Sequence, residues 1–567
     1  MALSYSATAT SLSNSANYCN KIKLSRSLYP TNHPNNVFTN LVYRSNSKLI
    51  SSPSSFTVRS LRKVVQPTVV ESATEVVLID GFEPAVITPP IGLKRDDFPS
   101  QFKFGASTSA LQTEGSGTEG GRGKSTWDFM IEASKGRKGA DSYNMYMEDV
   151  KLLKNMGMNS YRFSIAWPRI LPNGTEEDGP INQEGIDFYN KFIDALVAEG
   201  IEPVVTLFHF DLPVALQNKY HGFMNSQIIE DFAKYAEICY ANFGDRVKLW
   251  STINEPFVFG SFGYKMGLPE DVKNDPLGPY IATHNIILAH AAAAQVYHDK
   301  YQKKQKGKIG ISLPCKWYEP HSPNPIDVDA ARTHLDFMLG WYMDPFVNGD
   351  YPKIMKDSVR GLPEFTKEQT EMVKKACDYI GVNYYTARYA KQTCTVDSQQ
   401  GRIRIEYLED TADIDGNVIG EQAQGQADIY VHPPGLMKLL LYIKQKYNDP
   451  ELYVTENGVP EKPTITASVD DLIKQGNFDE LKAAFFDGKR AAHAGDHLLS
   501  IREAMKQGAK VKGYFVWSLM DNMEVGAGYD VRFGLNYTDY FDNHKRFPKA
   551  SAKWFTRFLT GSFINKN

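Results

Sequence analysis

The sequence lacks the features of several functional classes. No apolar run approaches the roughly 20 residues that a membrane-spanning helix needs. The 567 residues carry 63 Lys and Arg against 66 Asp and Glu, with no long run of either sign. This balance offers no cationic surface for nucleic acid or for an anionic membrane, so we expect neither as a partner. Five cysteines without CxxC spacing predict neither a zinc site nor a disulfide framework.

The N-terminal stretch lacks acidic side chains altogether. From Met1 to Val70 there is no Asp or Glu, whereas Ser is abundant and Lys and Arg recur. This composition is typical of an organelle transit peptide, and Ser, Thr and Asn interrupt every apolar stretch that a secretory signal would need. We predict a plastid (chloroplast) transit peptide over residues 1–75. A mitochondrial leader and a disordered tail without an address are the alternatives.

A regular alternation of short β-rich runs and longer amphipathic stretches begins at about Phe98. The candidate strands are Phe102–Thr108, Ser160–Ile165, Glu202–Phe208, Leu249–Asn254, Lys308–Leu313, Tyr379–Tyr385, Leu452–Glu456 and Val511–Trp517. Strands separated by helical patterns predict a parallel sheet, and eight such strands close a (β/α)8 TIM barrel. An open doubly wound sheet is the alternative, but no GxGxxG motif opens a helix after the first strand.

The predicted domain organisation has a single barrel. Residues 76–97 form an N-terminal extension, residues 98–558 the barrel, and residues 559–567 a C-terminal tail. Thr393–Gln426 has the pattern of a loop or hairpin, and Val459–Gly488 that of a polar, partly helical excursion. We expect both as insertions at the C-terminal face of the barrel, where loops tolerate variation.

Two glutamates follow candidate strands at equivalent positions. Glu255 lies in Asn254-Glu255-Pro256 at the end of the fourth strand, and Glu456 lies in Thr-Glu-Asn-Gly at the end of the seventh. The C-terminal ends of barrel strands converge on one face, which carries the active site. The two carboxyl groups, 201 positions apart in the sequence (456 minus 255), are therefore expected to meet there.

Paired carboxyl groups suit the cleavage of a glycosidic bond. One donates a proton to the leaving oxygen, and the other meets the positive charge that develops at the anomeric carbon. A separation of about 5–5.5 Å lets the second carboxylate attack and retains the configuration, whereas about 6.5–9.5 Å admits a water molecule and inverts it. The sequence leaves both geometries open. A pair of solvated rim carboxylates is the non-catalytic alternative.

Further motifs make the sequence resemble the family-one glycoside hydrolases, plant β-glucosidases in particular. Besides the two glutamate motifs these are Phe-Gly-Ala-Ser-Thr-Ser-Ala near residue 104, Tyr161-Arg162-Phe163-Ser164-Ile165, His209-Phe210-Asp211-Leu212-Pro213, Asn383-Tyr384-Tyr385 and Trp517-Ser518-Leu519. The match runs in order from about residue 98 to about residue 558. Together these motifs are highly specific, although each one alone would be weak.

The resemblance implies roles for the reacting groups. Glu255 corresponds to the acid/base and Glu456 to the nucleophile of a retaining mechanism, with no metal or organic cofactor. Arg162 and Tyr385 are expected beside Glu456, where a cation and a phenol would keep it ionised. Because Glu255 must be protonated and Glu456 ionised, their surroundings are expected to push the two pKa values in opposite directions.

The resemblance also implies a set of sugar-binding residues. Amides, imidazoles and carboxylates hydrogen-bond hydroxyl groups, and a flat indole covers the apolar face of a pyranose. The residues implied are Gln112, His209, Asn254 and Glu524 for the hydroxyls, and Trp517 beneath the ring.

The sequence departs from the family pattern at two positions. Val525 follows Glu524 where the family has an indole that donates to the sugar, so strict glucose preference is not expected. One hydrogen bond is worth roughly 0.5–1.5 kcal/mol, which would retune recognition without abolishing it. Asp428 replaces a Trp that commonly forms one wall of the aglycone site, which predicts an altered or wider cleft.

The predicted function is that of a β-glucosidase which hydrolyses a plant specialised-metabolite β-glucoside, such as a steroidal, terpenoid or benzoxazinoid glycoside. One alternative is a transglycosidase that passes the same glycosyl group to an alcohol. Another is a catalytically silent glycoside-binding protein, against which the intact Glu255 and Glu456 argue.

Overall fold

Eight parallel strands close into a barrel at the centre of the fold. In the computed structural model, residues 7–9, 92–115, 117–129, 139–396 and 403–561 are described. The barrel strands, in chain order, are β1 Lys103–Ser107, β2 Ser160–Ser164, β3 Glu202–Phe208, β4 Leu249–Asn254, β5 Lys308–Pro320, β6 Tyr379–Val396, β7 Leu452–Asn457 and β8 Val511–Trp517. Each strand pairs with its neighbour in chain order, and β8 returns to β1 through Gly513 opposite Lys103.

Helices follow the strands and cover the outside of the barrel. They are Ala110–Thr113, Ser142–Asn155, Trp167–Ile170, Gln183–Ala198, Val214–Tyr220, Gln227–Phe243, Pro256–Ser261, Glu270–Lys273, Gly278–Val296, Lys303–Gln305, Pro325–Leu335, Trp341–Asn348, Lys353–Ser358, Lys367–Val373, Pro433–Lys446, Val469–Gln475, Phe478–Phe485, Gly488–Lys506 and Ala550–Thr560. Within the described ranges, no helix is both long and apolar enough to cross a bilayer.

The sequence pattern explains how strand and helix fit together in one repeat. In Gln183–Ala198 the buried Ile186, Tyr189, Ile193 and Leu196 recur at three-and-four spacing and form one face. Gly200, with a φ of +72°, ends the helical run and turns the chain into β3. Strand β3 is buried along nearly its whole length because sheet neighbours and helices cover it, as parallel strands require.

Side chains fill the interior of the barrel. Val204, Leu249, Tyr379, Tyr453 and Phe515, from five different strands, pack into one buried cluster. Tyr379 also donates its hydroxyl to the backbone carbonyl of Trp250, at 2.9 Å. This cluster fills part of the barrel interior, which is therefore a packed core rather than an open channel.

Two strands extend well beyond the ends that the sequence pattern predicted. Strand β5 reaches Pro320 rather than Leu313, and β6 reaches Val396 rather than Tyr385. The outer strand Ile403–Asp410 pairs antiparallel with the end of β6, so the segment Thr393–Gln426 contains the hairpin rather than only a loop. The extensions of β5 and β6 are held by pairing with strands that are distant in sequence. The local sequence pattern therefore predicted strand ends that are too early.

Five short strands and two helices complete the description. Glu421–Gln422 pairs with Tyr430–Val431, and Asn536–Asp539 pairs with Lys545–Pro548. The short strand Ala7–Ala9 pairs antiparallel with Ile403–Asp410. The rest of the predicted transit peptide lies outside the described residues. The excursion Val459–Gly488 contains the helices Val469–Gln475 and Phe478–Phe485, as its partly helical pattern predicted.

Candidate active site

The two motif glutamates face one cavity at the C-terminal ends of the strands. Glu255 follows β4 directly, and its backbone has a φ of +44°, in the left-handed region that is uncommon outside glycine. Its amide donates to the Ser312 carbonyl of β5 at 2.8 Å, and Pro256 then begins a helix. Glu456 lies within β7, in register with Asn383 of β6. Both carboxyl groups line a cavity of about 320 Å³.

Glu456 is surrounded by donors. The Arg162 guanidinium donates to its Oε1 at 2.7 Å, and the Tyr385 hydroxyl donates to its Oε2 at 2.8 Å. Burial raises the pKa of Glu456 above its usual range, while Arg162 and Tyr385 oppose that rise. Arg162 is itself fully buried, and its second terminal nitrogen donates to Asn254 at 2.6 Å.

Glu255 has a poorer set of partners. Its Oε1 accepts one hydrogen bond, from the Asn383 side-chain amide at 3.0 Å. Burial and the charge of Glu456 raise the pKa of Glu255 to about 8. The prediction that the surroundings shift the two pKa values in opposite directions is therefore wrong, because burial raises both. The two glutamates differ in how far hydrogen bonds offset the effect of burial on the pKa. Arg162 and Tyr385 both donate to Glu456, whereas Glu255 accepts only from Asn383 among the hydrogen bonds given above.

Asn254 and His209 form a fixed polar group beside the two glutamates. The Asn254 side-chain oxygen accepts from Arg162 and, at 3.0 Å, from Asn383, so its amide nitrogen must face the other way. That nitrogen lies 3.1 Å from His209 Nε2. Burial holds the pKa of His209 well below its usual value, so its imidazole is neutral. The His209 ring stacks on Trp517, with ring centroids 5.7 Å apart.

Gln112 is held from both sides of its amide. Its nitrogen donates to the Met523 carbonyl at 2.9 Å, and its oxygen accepts from the Ser109 hydroxyl at 2.6 Å. Gln112 also lines the cavity. Through this contact, the helix Ala110–Thr113, which follows β1, is joined to the segment that carries Glu524.

Glu524 and Val525 occupy a tight turn after β8. The Glu524 and Gly528 backbones exchange two hydrogen bonds, at 2.7 and 2.8 Å, which fixes the turn between them. Burial and the charge of Glu456 raise the pKa of Glu524 to about 8, while the nearby polar side chains of Trp517 and Gln426 oppose that rise. Val525 lines the same cavity with an apolar side chain.

The outer part of the cavity is built mainly by loops and by the extended strands β5 and β6. It is lined by Phe210, Val258, Pro314, Cys315, Lys316, Met338, Thr386, Asp428, Ile429 and Phe533, while Gln426 lines the cavity beside Glu524. Asp428 is exposed, and its backbone carbonyl accepts from Arg388 at 2.7 Å. The described residues include no group of three His, Cys, Asp or Glu side chains that could hold a metal ion.

The structure brings the predicted site residues together. Ten of them line the cavity: Gln112, His209, Asn254, Glu255, Tyr385, Asp428, Glu456, Trp517, Glu524 and Val525. Arg162 lies behind Glu456 and contacts it directly. The cavity residues that were not assigned from the sequence include Asn383 and Gln426. Asn383 had a signal, its place in the Asn-Tyr-Tyr motif, whereas Gln426 lies in a segment without a regular period.

Comparison with known proteins agrees with this arrangement. Residues 94–562 match the family described as Glycosyl hydrolase family 1. The chain belongs to this family. The predicted resemblance, the (β/α)8 barrel and the assignment as a β-glucosidase-type glycoside hydrolase are confirmed.

The family 1 enzyme has similar plant relatives. A furostanol glycoside 26-O-β-glucosidase from Hellenia speciosa is 45% identical over 515 residues, which cover 87% of this chain and 87% of that protein. A raucaffricine-O-β-D-glucosidase from Rauvolfia serpentina is 44% identical over 506 residues, which cover 82% and 91%. A rice β-glucosidase mutant, solved in a covalent complex with Glc from GA4GE, is 39% identical to this chain, with a TM-score of 0.73. The match covers 82% of this chain and 100% of the rice chain.

Proposed function

We propose that this family 1 enzyme hydrolyses a plant specialised-metabolite β-glucoside with retention of configuration, through a covalent glycosyl-enzyme intermediate. The observation that carries the proposal is the asymmetry of the glutamate pair. Glu456 accepts hydrogen bonds from Arg162 and Tyr385, whereas Glu255 accepts one from the neutral amide of Asn383 and has its pKa raised to about 8. The first arrangement favours a carboxylate and the second a carboxylic acid.

These states assign one role to each group. In the first step Glu255 gives its proton to the glycosidic oxygen, while a Glu456 oxygen bonds to the anomeric carbon and the aglycone leaves. The bond to Glu456 consumes its negative charge, which removes one cause of the raised Glu255 pKa. In the second step Glu255 accepts a proton from water, the water oxygen attacks the anomeric carbon, and Glu456 leaves as a carboxylate.

The remaining polar groups are proposed to bind the sugar. The buried amides of Gln112 and Asn254 and the neutral imidazole of His209 can hydrogen-bond hydroxyls without adding charge. The Trp517 ring offers a flat apolar surface to the pyranose. These groups are held in place by protein contacts before the substrate arrives, which lowers the cost of ordering them.

The aglycone is proposed to be a bulky specialised metabolite. The cavity wall beyond the glutamates carries the apolar side chains of Phe210, Val258, Met338 and Ile429. Such a wall suits a large hydrophobic group next to a sugar. The names of the Hellenia and Rauvolfia relatives, which refer to a furostanol glycoside and to raucaffricine, support a specialised glycoside as the substrate class.

A plastid location is also proposed, on the composition of residues 1–75 alone. Storage there would separate the enzyme from a vacuolar glycoside until tissue damage. A fluorescent protein fused behind residues 1–75 should enter plastids, and a fusion lacking them should not. Uptake by mitochondria, secretion, or a cytosolic signal from the intact fusion would contradict the proposal.

The mechanism is tested at Glu456. Glu456→Gly should abolish hydrolysis of an aryl β-glucoside, and azide should partly restore turnover by attacking from the vacated side. The product should be the α-glycosyl azide, because the azide replaces the nucleophile in a single displacement. A β-azide, or undiminished hydrolysis, would remove Glu456 from this role. Added alcohols in the unaltered enzyme's assay separate hydrolysis from transfer, since a transglycosidase would release alkyl glycoside rather than glucose.

A further inference from the structure

Gln426 lies in the active-site cavity beside the turn that carries Glu524 and Val525. Its side-chain amide lies close enough to the Glu524 carboxyl group to lower the pKa of that group, as does the Trp517 indole. All four residues line the same cavity. Gln426 belongs to none of the barrel strands, so it reaches this position from a loop that follows the outer hairpin.

The loop around Gln426 is fixed by the protein. The Ala423 amide donates to the Ile429 carbonyl at 2.9 Å, which closes the base of the loop. Within it, the Ile429 amide donates to the Gln426 carbonyl at 3.2 Å. From outside, Arg388 donates to the Asp428 carbonyl at 2.7 Å, and Arg388 is itself buried. The backbone at Gln426 is therefore positioned before any substrate binds.

Gln426 can supply a hydrogen bond to the sugar that the neighbouring Val525 cannot supply. Val525 presents only methyl groups to the cavity, so it offers no hydrogen bond to a sugar hydroxyl. A side-chain amide has two N–H groups and a carbonyl oxygen. When one N–H donates to Glu524, the second N–H and the oxygen remain for a ligand at this end of the cavity.

We propose that Gln426 is a sugar-binding, specificity-determining residue, which hydrogen-bonds a hydroxyl of the glycone and orients the Glu524 carboxylate towards it. This inference rests on the proposed function, because it takes the sugar to lie among Gln112, Glu524 and Trp517. It makes the sugar specificity of this enzyme depend on a loop outside the barrel.

The contact is tested with a double-mutant cycle between protein and substrate. The variants are Gln426→Ala and the unaltered enzyme, and the substrates are an aryl β-glucoside and its 2-, 3-, 4- and 6-deoxy forms. Gln426→Ala should lower kcat/KM on the complete glucoside by about tenfold. On the deoxy form that lacks the contacted hydroxyl, the loss should shrink to about twofold or less. Equal losses on every deoxy form would overturn the proposal.

A matched control comes from the same loop. Gln424 is exposed and lines a different surface depression, so Gln424→Ala should leave kcat/KM unchanged on all these sugars.

A second variant supplies a hydrogen-bond donor at position 525, next to Glu524. In a Val525→Trp background, the indole N–H should replace the lost amide, and Gln426→Ala should then cost less than it does beside Val525. An undiminished cost would contradict a shared role in sugar binding.

A binding measurement separates this inference from the proposed function. Calorimetry with a non-hydrolysable aryl thio-β-glucoside, and with its deoxy forms, reports the same hydroxyl contact without turnover. If the unaltered enzyme hydrolyses no glucoside, the proposed function fails, but the binding cycle still tests Gln426. If hydrolysis is normal and the Gln426→Ala binding losses are equal for all deoxy forms, the proposed function stands and this inference fails.

Discussion

The two ends of the cavity differ in how they are built. At the reacting end, Glu255, Glu456, Arg162 and Asn254 come from barrel strands or from the residue after one, and buried hydrogen bonds link them. At the outer end, side chains such as Asp428 come from loops and are partly exposed. On the proposed function, the barrel would fix the chemistry and the loops would set the substrate. The following predictions test that division.

The largest effect is expected from Arg162→Met at the reacting end. Glu456 would remain buried without its cation, and breaking a buried ion pair costs about 3–5 kcal/mol. We expect kcat/KM on an aryl β-glucoside to fall by at least about 100-fold. Arg169→Met is the matched control, because Arg169 forms a buried pair with Glu114 that does not line the cavity. If the folded fraction of both variants keeps normal activity, the cation does not support the nucleophile.

The pH profile should distinguish Glu255 from Glu524, two carboxyl groups whose pKa values are both raised to about 8. A proton donor works only while it is protonated, so kcat/KM should fall as the pH rises through the Glu255 pKa of about 8. Well above that pH the fall should be about tenfold per pH unit. Measured on a phenyl β-glucoside, this alkaline limb should disappear from the residual activity of Glu255→Gln.

Glu524→Gln provides the comparison among the proposed sugar-binding residues. The pKa of Glu524 is also raised to about 8, but Glu524 is proposed to bind the sugar rather than to transfer a proton. Its variant should have a higher KM and should keep the alkaline limb. Loss of the limb in Glu524→Gln, with retention in Glu255→Gln, would exchange the two assignments.

A smaller effect is expected from Val525→Trp, because a single hydrogen bond is involved. The added indole N–H should improve discrimination between a glucoside and its epimers by up to about tenfold, corresponding to roughly 1.4 kcal/mol. The measurement is the ratio of kcat/KM on paired aryl β-glucoside and β-galactoside substrates. An unchanged ratio would show that position 525 does not contact the sugar.

The smallest effect is expected from Asp428→Trp, at an exposed position of the outer wall. A bulky indole should narrow the cleft and lower kcat/KM for a bulky glycoside by about fivefold relative to a small aryl glucoside, or about 1 kcal/mol. Asp428→Asn keeps the size and serves as the control for the charge. Equal effects of the Trp substitution on both substrates would mean that position 428 does not line the aglycone site.

The sequence by itself determined the barrel and the meeting of Glu255 and Glu456 at one cavity. Strands β3, β4 and β8 have the predicted bounds, because each is a short β-rich run that is set apart from the helical patterns around it. The C-terminal ends of barrel strands converge, so the positions of Glu255 and Glu456 at the ends of two β-rich runs were enough to predict a shared site.

Only the tertiary structure decided the outer end of the cavity and the pKa values. The extensions of β5 and β6 and the position of Gln426 depend on partners that are distant in sequence, so no local period marks them. The pKa of Glu456 depends on a balance between burial and the Arg162 and Tyr385 contacts. Burial is a property of the assembled barrel. At Glu456 it raises the pKa by more than the pairing with Arg162 lowers it, and the motifs alone indicated only that pairing.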